Sequence, residues 1–251
     1  MDIQAYLERI NYHGTLTPSL QTLRELHLAH LLTVPFENLS VHHKEQIVLQ
    51  DDALFNKIVM RRRGGFCYEL NGLFSALLRA LGFKVEMLSA GVTRPNGGFG
   101  PEFDHMMLMV TLDERWLVDV GFGDGFREPL RLDERSVQHQ NTRAYQLLSD
   151  EERLILMEQK KGDEWKPHYR FRIQAYQFIN YKQRCHYHQT SPLSSFTKGR
   201  VCTRATPEGR LTLSKMRFIS TTLEGERQER EVANEDEYAA LLGQHFSIII
   251  D

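Results

Sequence analysis

The chain has 251 residues, with 41% hydrophobic and 25% charged side chains and a formal net charge of -2; this balance fits a folded soluble protein and excludes disordered, fibrous and membrane classes. Near-neutral charge gives no general reason to expect nucleic acid or a membrane surface as partner, and the basic clusters at 61–63 and 198–204 are short enough to be solvated faces. The length suits one large domain or two to three subdomains sharing a core.

The opening "MDIQAYLERINYHG" has no apolar signal-peptide core, and no run approaches the roughly 18 apolar residues of a membrane span, so a cytoplasmic location is expected. Asp2 precedes a short helix reaching Ile10. Pro18 is placed to open a second helix, in which Leu20, Leu23, Leu26 and Leu31 repeat at helical spacing. After Pro35, "VPFENLSVHHKEQI" shows no helical period. Asp51 is the expected cap of a helix through "DALFNKIVMRR". Gly64 and Gly65 interrupt the chain before the clearest helix, in which Leu70, Leu73, Phe74, Leu77, Leu78 and Leu81 share one face and Gly82 ends the run.

From Phe83 the pattern turns to short strands: "FKVEML", "HMMLMVTL", "RWLVDV", "AYQLL", "RLILMEQ", "HYRFRIQ", "GRVCTRAT" and "RLTLSKMRFIS", separated by turn residues. Many short strands point to a barrel or sandwich. The tail reads as a helix capped by Asn234, with Glu237 three residues on. No internal repeat or low-complexity segment is present.

Three cysteines, Cys67, Cys185 and Cys202, form an odd set at unrelated spacings, which argues against a disulfide framework and leaves a thiol for chemistry. A catalytic thiol needs surroundings that lower its ordinary pKa of about 8.5, and Cys67 sits at the start of the strongest helix, where the N-terminal dipole supplies part of that. His105 opens an apolar strand after the glycine-containing loop "RPNGGFGPE" and is the best candidate base. Asp119 interrupts the apolar "RWLVDV"; with a turn at Gly121 to Gly123 the two strands become antiparallel neighbours and the two side chains meet. Pattern alone leaves Asp119 open between orienting His105 and bracing a turn.

"VPFENLSVH", "RRRGGFCYELNGLFSALLRALGF", "DVGFG" and "HQTSPLSSFTKGRVCTRATPEGR" resemble the signature segments of the arylamine N-acetyltransferases over nearly the whole chain. The resemblance implies an α+β fold of the cysteine-proteinase-like superfamily: a helical domain at 1–83 carrying the nucleophile, a β-barrel at 84–190 carrying the histidine and aspartate, and an α/β lid at 191–251. It also implies Cys67 as acyl acceptor, His105 as its ion-pair base and Asp119 as the orienting carboxylate. Acetyl-coenzyme A would be the acyl donor, an aromatic amine or hydrazine the acceptor, and the course ping-pong. Phe36, Phe122 and Phe196 are the expected aromatic lining, with core packing as the competing account for each. Tyr187, Gly123 and Phe196 are the expected coenzyme A contacts, and Arg63 is expected to clamp Glu37. Lys198 and Arg200 are assigned to solvated surface. The chain is somewhat shorter than most relatives, which leaves the extent of the third domain open.

An amide synthase or a cysteine hydrolase using the same triad is the nearest alternative. A metal module built on Cys185, His186, His188 and Cys202 is disfavoured, because the spacing fits no tetrahedral ligand set and histidines there are expected to face solvent or cap a helix. No metal is expected.

Overall fold

The computed structural model describes residues 1–160 and 162–250. The N-terminal region is helical. Helix α1 (Ile3–Arg9) is capped by Asp2, whose carboxylate accepts from the Ala5 N–H, and α2 (Leu20–Thr33) is capped by Ser19. The segment after Pro35, which shows no helical period in sequence, holds the two-residue strand β1 (Phe36–Glu37) and the short helix α3 (Leu39–His42). Helix α4 (Asp51–Phe55) runs directly into a π-helical turn at Asn56–Met60. Its cap is Gln50; Asp51 instead stands in the first turn, where its charge still favours the helix N-terminus.

Helix α5 (Cys67–Ala80) is the centre of this region. Leu70, Leu73, Phe74, Leu77 and Leu78 have no solvent exposure, each worth about 1.5–3 kcal/mol of burial for its side chain. The helix closes at Leu81, and Gly82 follows with a φ of +94°, a left-handed conformation that a side chain would strain.

Eight antiparallel strands form the central, nearly closed barrel: β2 (Lys84–Val92), β3 (His105–Thr111), β4 (Arg115–Val118), β5 (Leu130–Arg131), β6 (Gln138–Gln140), β7 (Arg143–Asp150), β8 (Arg153–Lys160) and β9 (Lys166–Phe171), in the order β5-β4-β3-β2-β9-β8-β7-β6. The apolar run "HMMLMV" needs no alternation because β3 is covered on both sides. Met106, Leu108 and Val110 join the helical core around α5, while Met107 and Met109 face the barrel interior with Leu117, Leu147 and Leu156. Side-chain amides bridge the seam between β5 and β6. Gln138 accepts from the Arg131 N–H at 2.8 Å and donates to the Arg131 carbonyl at 3.0 Å, replacing a missing backbone pair.

Helix α6 (Lys182–Thr190) follows and places Cys185 in the helical core. The C-terminal sheet has the order β1-β10-β11-β12-β13, with β10 (Val201–Thr206), β11 (Gly209–Ser214), β12 (Arg217–Thr222) and β13 (Arg227–Glu231). The stretch "RLTLSKMRFIS" is therefore a hairpin and not one strand; Lys215 turns it with a positive φ of 53°. β1 pairs with β10, so the first third of the chain supplies an edge to the last sheet. Helix α7 (Glu235–Phe246), capped by Asn234 as expected, lays Tyr238, Leu241, Leu242 and Phe246 against Cys202 and Leu213. Among the described residues, no helix is long and apolar enough to cross a membrane.

The segment ahead of Cys67 is tied down by charge. Arg63 donates through Nε to Glu37 Oε1 at 3.0 Å and through Nη2 to the same oxygen at 2.9 Å, and Glu37 Oε2 accepts the Leu39 N–H at 2.6 Å. Both side chains are buried. Burial alone would raise the Glu37 carboxyl, but Lys57, Arg63 and the Leu39 N–H outweigh it and hold the carboxyl low. Arg9 donates to the carbonyls of Arg62 and Arg63 at 3.3 Å each, and Glu69, paired to Lys57 at 2.6 Å, accepts the Phe66 N–H at 3.1 Å. Breaking a buried pair strands the remaining charge. Glu37→Ala is therefore expected to cost about 3–5 kcal/mol, measured as a shift of the urea midpoint, and a change below about 1 kcal/mol would contradict the clamp.

Candidate active site

Three segments converge on Cys67. The helix presents it as the first residue of α5, β3 presents His105 as its first residue, and the chain leaving β4 presents Asp119 one residue past the strand. The β3–β4 hairpin turns at Leu112–Glu114, ahead of the Gly121–Gly123 turn that the sequence had offered, and its register sets Leu108 against Val118. His105 and Asp119 therefore meet just beyond the paired ends, His105 Nε2 lying 2.6 Å from Asp119 Oδ2. With Nε2 engaged, Nδ1 is the ring nitrogen left for Cys67, whose thiol pairs with this imidazole. All three residues are buried.

Further residues hold the constellation, and sequence reading missed them. Asn71, one helical turn beyond Cys67, donates through Nδ2 to the Met106 carbonyl at 2.7 Å and to Asp119 Oδ1 at 2.9 Å, and its Oδ1 accepts the Val120 N–H at 3.0 Å. One amide thus locks the helix, the strand and the aspartate loop together. Its signal was the i, i+4 spacing from Cys67 on a face otherwise apolar. Asp119 also accepts the Gly121 N–H at 2.9 Å and the Tyr169 hydroxyl at 3.3 Å. Beneath it lies His27, whose Nδ1 is 2.9 Å from the Arg127 carbonyl and whose Nε2 is 3.4 Å from the Asp119 N–H. Burial lowers the pKa of His27, opposed by the carbonyls of Arg127 and Asp119 that its ring nitrogens face at 2.9 and 3.2 Å.

The electrostatics follow from this packing. Burial opposes charge on His105, but the Asp119 carboxylate, its hydrogen bond and the neighbouring sulfur outweigh it and push the imidazole up to about 10. Asp119 is likewise opposed by burial yet held below the ordinary carboxylate range by His105, Asn71 and the Gly121 N–H. On Cys67, burial outweighs the hydrogen bond and charge of His105 and leaves the thiol raised, contrary to the lowering expected from the sequence. The α5 N-terminus adds to the lowering side. A proton leaving the sulfur has a strongly basic nitrogen beside it.

Gly121 packs directly on the nucleophile. A β-carbon there would lie 2.7 Å from Cys67 Cα and 2.7 Å from Asn71 Nδ2. Gly121→Ala is expected to slow alkylation of Cys67 by iodoacetamide by about 10- to 100-fold, through displacement of the sulfur from His105. Unchanged alkylation would show that the loop yields without moving Cys67.

Cys67 and His105 open onto a cleft of about 670 Å³ that Phe36, Phe122, Phe196 and Tyr187 also line. The three phenylalanines are partly exposed and contact one another or the site: Phe36 to Phe196 at 6.1 Å and Phe122 to His105 at 5.2 Å between ring centroids. They form cleft wall as well as packing. A second cleft, of about 610 Å³, shares Phe36 and Phe122 with the first and continues past Gly123 between the barrel and the C-terminal sheet. It is lined by Arg127, Arg143, Lys160, Arg210 and Arg227, with the carboxylates of Asp124, Asp163 and Glu224 among them. Burial opposes ionisation of Asp124, but Arg210, Arg143 and Lys160, at 3.1, 2.8 and 3.1 Å, keep it strongly acidic.

The remaining expectations separate. Arg200 is no free surface cation: it pairs with Glu235 at 2.7 Å and lies 4.0 Å over the Tyr238 ring, while Lys198 is exposed. His188 is buried against Ser194 and Asp104 and does not face solvent, whereas His186 is exposed. Cys185 and Cys202 belong to different cores. Among the described residues, no group of three or more His, Cys, Asp or Glu side chains is placed to hold a metal ion.

The family model described as N-acetyltransferase matches residues 19–251. The arylamine N-acetyltransferase of Escherichia coli K12 is 33% identical over 249 residues, covering 98% of this chain and 88% of that protein. Proansamycin X synthase of Amycolatopsis mediterranei is 31% identical over 256 residues, covering 98% and 97%. The structure of Mycobacterium marinum arylamine N-acetyltransferase in complex with CoA superposes with a TM-score of 0.92 at 31% identity, covering 98% of this chain and 93% of that one. With matches of this extent in sequence and in fold, the chain belongs to the arylamine N-acetyltransferase family.

Proposed function

We propose that this enzyme transfers the acetyl group of acetyl-coenzyme A to aromatic amines or hydrazines by a ping-pong course through an acetyl-thioester on Cys67. The observation that carries the reading is the buried Cys67–His105–Asp119 constellation opening at the junction of two clefts, one aromatic and one cationic. The donor's phosphates fit the cationic cleft, with Gly123 at its neck, while Tyr187 and Phe196 stand on the aromatic side. CoA bound to the M. marinum relative supports a donor of this class.

In the first half-reaction His105 already holds the proton of the Cys67 thiol as an ion pair, and the Cys67 sulfur attacks the thioester carbonyl. The first-turn N–H of Cys67 has no partner within the helix and is available to the developing oxyanion. The carbonyl re-forms, the C–S bond to coenzyme A breaks, and His105 returns the proton to the leaving thiolate. In the second half an amine attacks the acetyl-cysteine, its proton passes to His105, and the amide departs as the sulfur is released. Asp119 keeps the ring oriented and balances its charge throughout. The aromatic wall favours an arylamine over the far more concentrated water.

Intact-mass analysis tests this reading. Acetyl-coenzyme A should add about 42 Da to the protein on Cys67, and an arylamine should discharge the adduct faster than buffer does. A protein that stays unmodified and cleaves amides would be a hydrolase. The match to proansamycin X synthase favours amide synthesis as the second reading, which predicts poor discharge by simple arylamines.

A further inference from the structure

Among the described residues no strand pairs with the outer side of β13, which ends the order β1-β10-β11-β12-β13, and residues 224–231 are all exposed. Its pairing with β12 decides which backbone groups are spare. The Thr222 N–H donates to the Glu226 carbonyl and the Val232 N–H to the Met216 carbonyl, each at 2.9 Å. Alternation along an antiparallel ladder then turns the even positions of this segment toward β12. The N–H and C=O of Arg227, Glu229 and Glu231 are left directed away from it.

Charge on an open edge ordinarily keeps a second edge away. Here the order of charges favours one partner. Reversed about Gln228, the run Glu226-Arg227-Gln228-Glu229-Arg230 sets every acid against a base. Two copies paired antiparallel about a two-fold axis place residues of the same face opposite one another, so the axis passes beside a single residue. Centred on Gln228, Arg227 meets Glu229 of the second copy and Glu226 meets its Arg230, and both pairs recur across the axis. Centring on any of those four charged residues sets like charges face to face. The spare backbone groups of Arg227 and Glu229 are also the ones this register joins. The pairs these side chains make within the chain, Arg227 with Glu229 at 2.6 Å, Arg217 with Glu229 at 2.8 Å and Arg230 with Glu237, are exposed and hold them weakly.

We infer that β13 is a self-association edge, along which a second copy of this chain pairs antiparallel in the register centred on Gln228 and joins two C-terminal sheets into one. The contact is short and charged, so the association is weak and depends on concentration and on salt. Arg227 lies on the face of β13 that lines the cationic cleft, so pairing brings the cationic clefts of the two copies side by side.

Sedimentation equilibrium of the full chain, over a wide range of concentration at low and at high salt, tests it. At low salt the average mass should rise from monomer toward dimer with concentration, and it should fall back as salt is added. Glu226→Arg and Arg230→Glu should each weaken the association about tenfold or more, because each turns two attractive pairs into like-charge pairs. The double change restores opposite charges in reversed order and should recover the dimer. Glu229→Pro removes an N–H that β12 does not use, and it should weaken association while the sheet persists. Circular dichroism checks the fold of each variant, and three separate single changes keep the test decisive if one fails to fold. A monomer at every concentration in low salt overturns the inference. So does a dimer that the folded single variants leave unchanged, or one that the double change does not recover, since either gives the contact to another surface.

Discussion

Cys67→Ser is expected to lower turnover by about 10⁴-fold or more and to abolish the mass adduct, while leaving the fold intact. The hydroxyl replaces the thiol almost without change of volume, so the buried first turn of α5 keeps its packing. What changes is acidity. A serine hydroxyl is far less acidic than a thiol and does not form the ion pair with His105 that a thiol forms. Steady-state rates, intact mass and urea unfolding of the same variant separate the outcomes: loss of rate at unchanged unfolding midpoint places Cys67 in the chemistry. A variant retaining a tenth of the activity would remove Cys67 as nucleophile.

Asp119→Asn is expected to cost about 10³- to 10⁴-fold in rate and, unlike the cysteine change, to alter the dependence of stability on pH. In the wild type His105 is raised above its ordinary value of about 6.5. Its stabilising contribution is therefore complete below about pH 6.5 and is lost as pH rises toward about 10. Asp119 is lowered, so its contribution is present above the ordinary carboxylate range and is lost in acid. Removing the carboxylate's charge leaves His105 with burial, which disfavours the imidazolium. The His105 contribution should then reverse sign, with stability falling as pH drops below about 6.5. Urea midpoints between pH 5 and 9 read this directly. A variant whose pH profile parallels the wild type would mean that Asp119 is not the partner that charges His105.

Much of the architecture was legible. The 3.6-residue period of α5, its closing glycine and the change to short strands at Phe83 depend on local propensity and on burial of one face, which a chain records in its own spacing. Cys67 at a helix start, His105 at a strand start and the isolated Asp119 were visible for the same reason: each is a polar group standing at the edge of an apolar pattern. Where local pattern and tertiary pairing part company, the reading failed. β1 and α3 carry no period of their own because two residues of strand are held by pairing with β10, Glu37 with Cys202 being 165 positions apart in the chain, and by the Glu37–Arg63 clamp. The hairpin in "RLTLSKMRFIS" was hidden because its turn uses Lys215 in a left-handed conformation, without a glycine or proline to announce it.

The sequence by itself determined which residues have the chemistry and which elements bear them, since thiol, imidazole and carboxylate are properties of single side chains and amphipathic spacing is a property of short segments. Only the tertiary structure decided how those groups act together. The choice of Nε2 for Asp119, the Asn71 amide joining three segments, the rise of His105 to about 10 and the pairing of Arg184 with Asp104 all arise from atoms far apart in the chain brought within a few ångströms in a site closed to water. Coulomb and hydrogen-bond energies depend on distance and on the exclusion of solvent, and folding sets both.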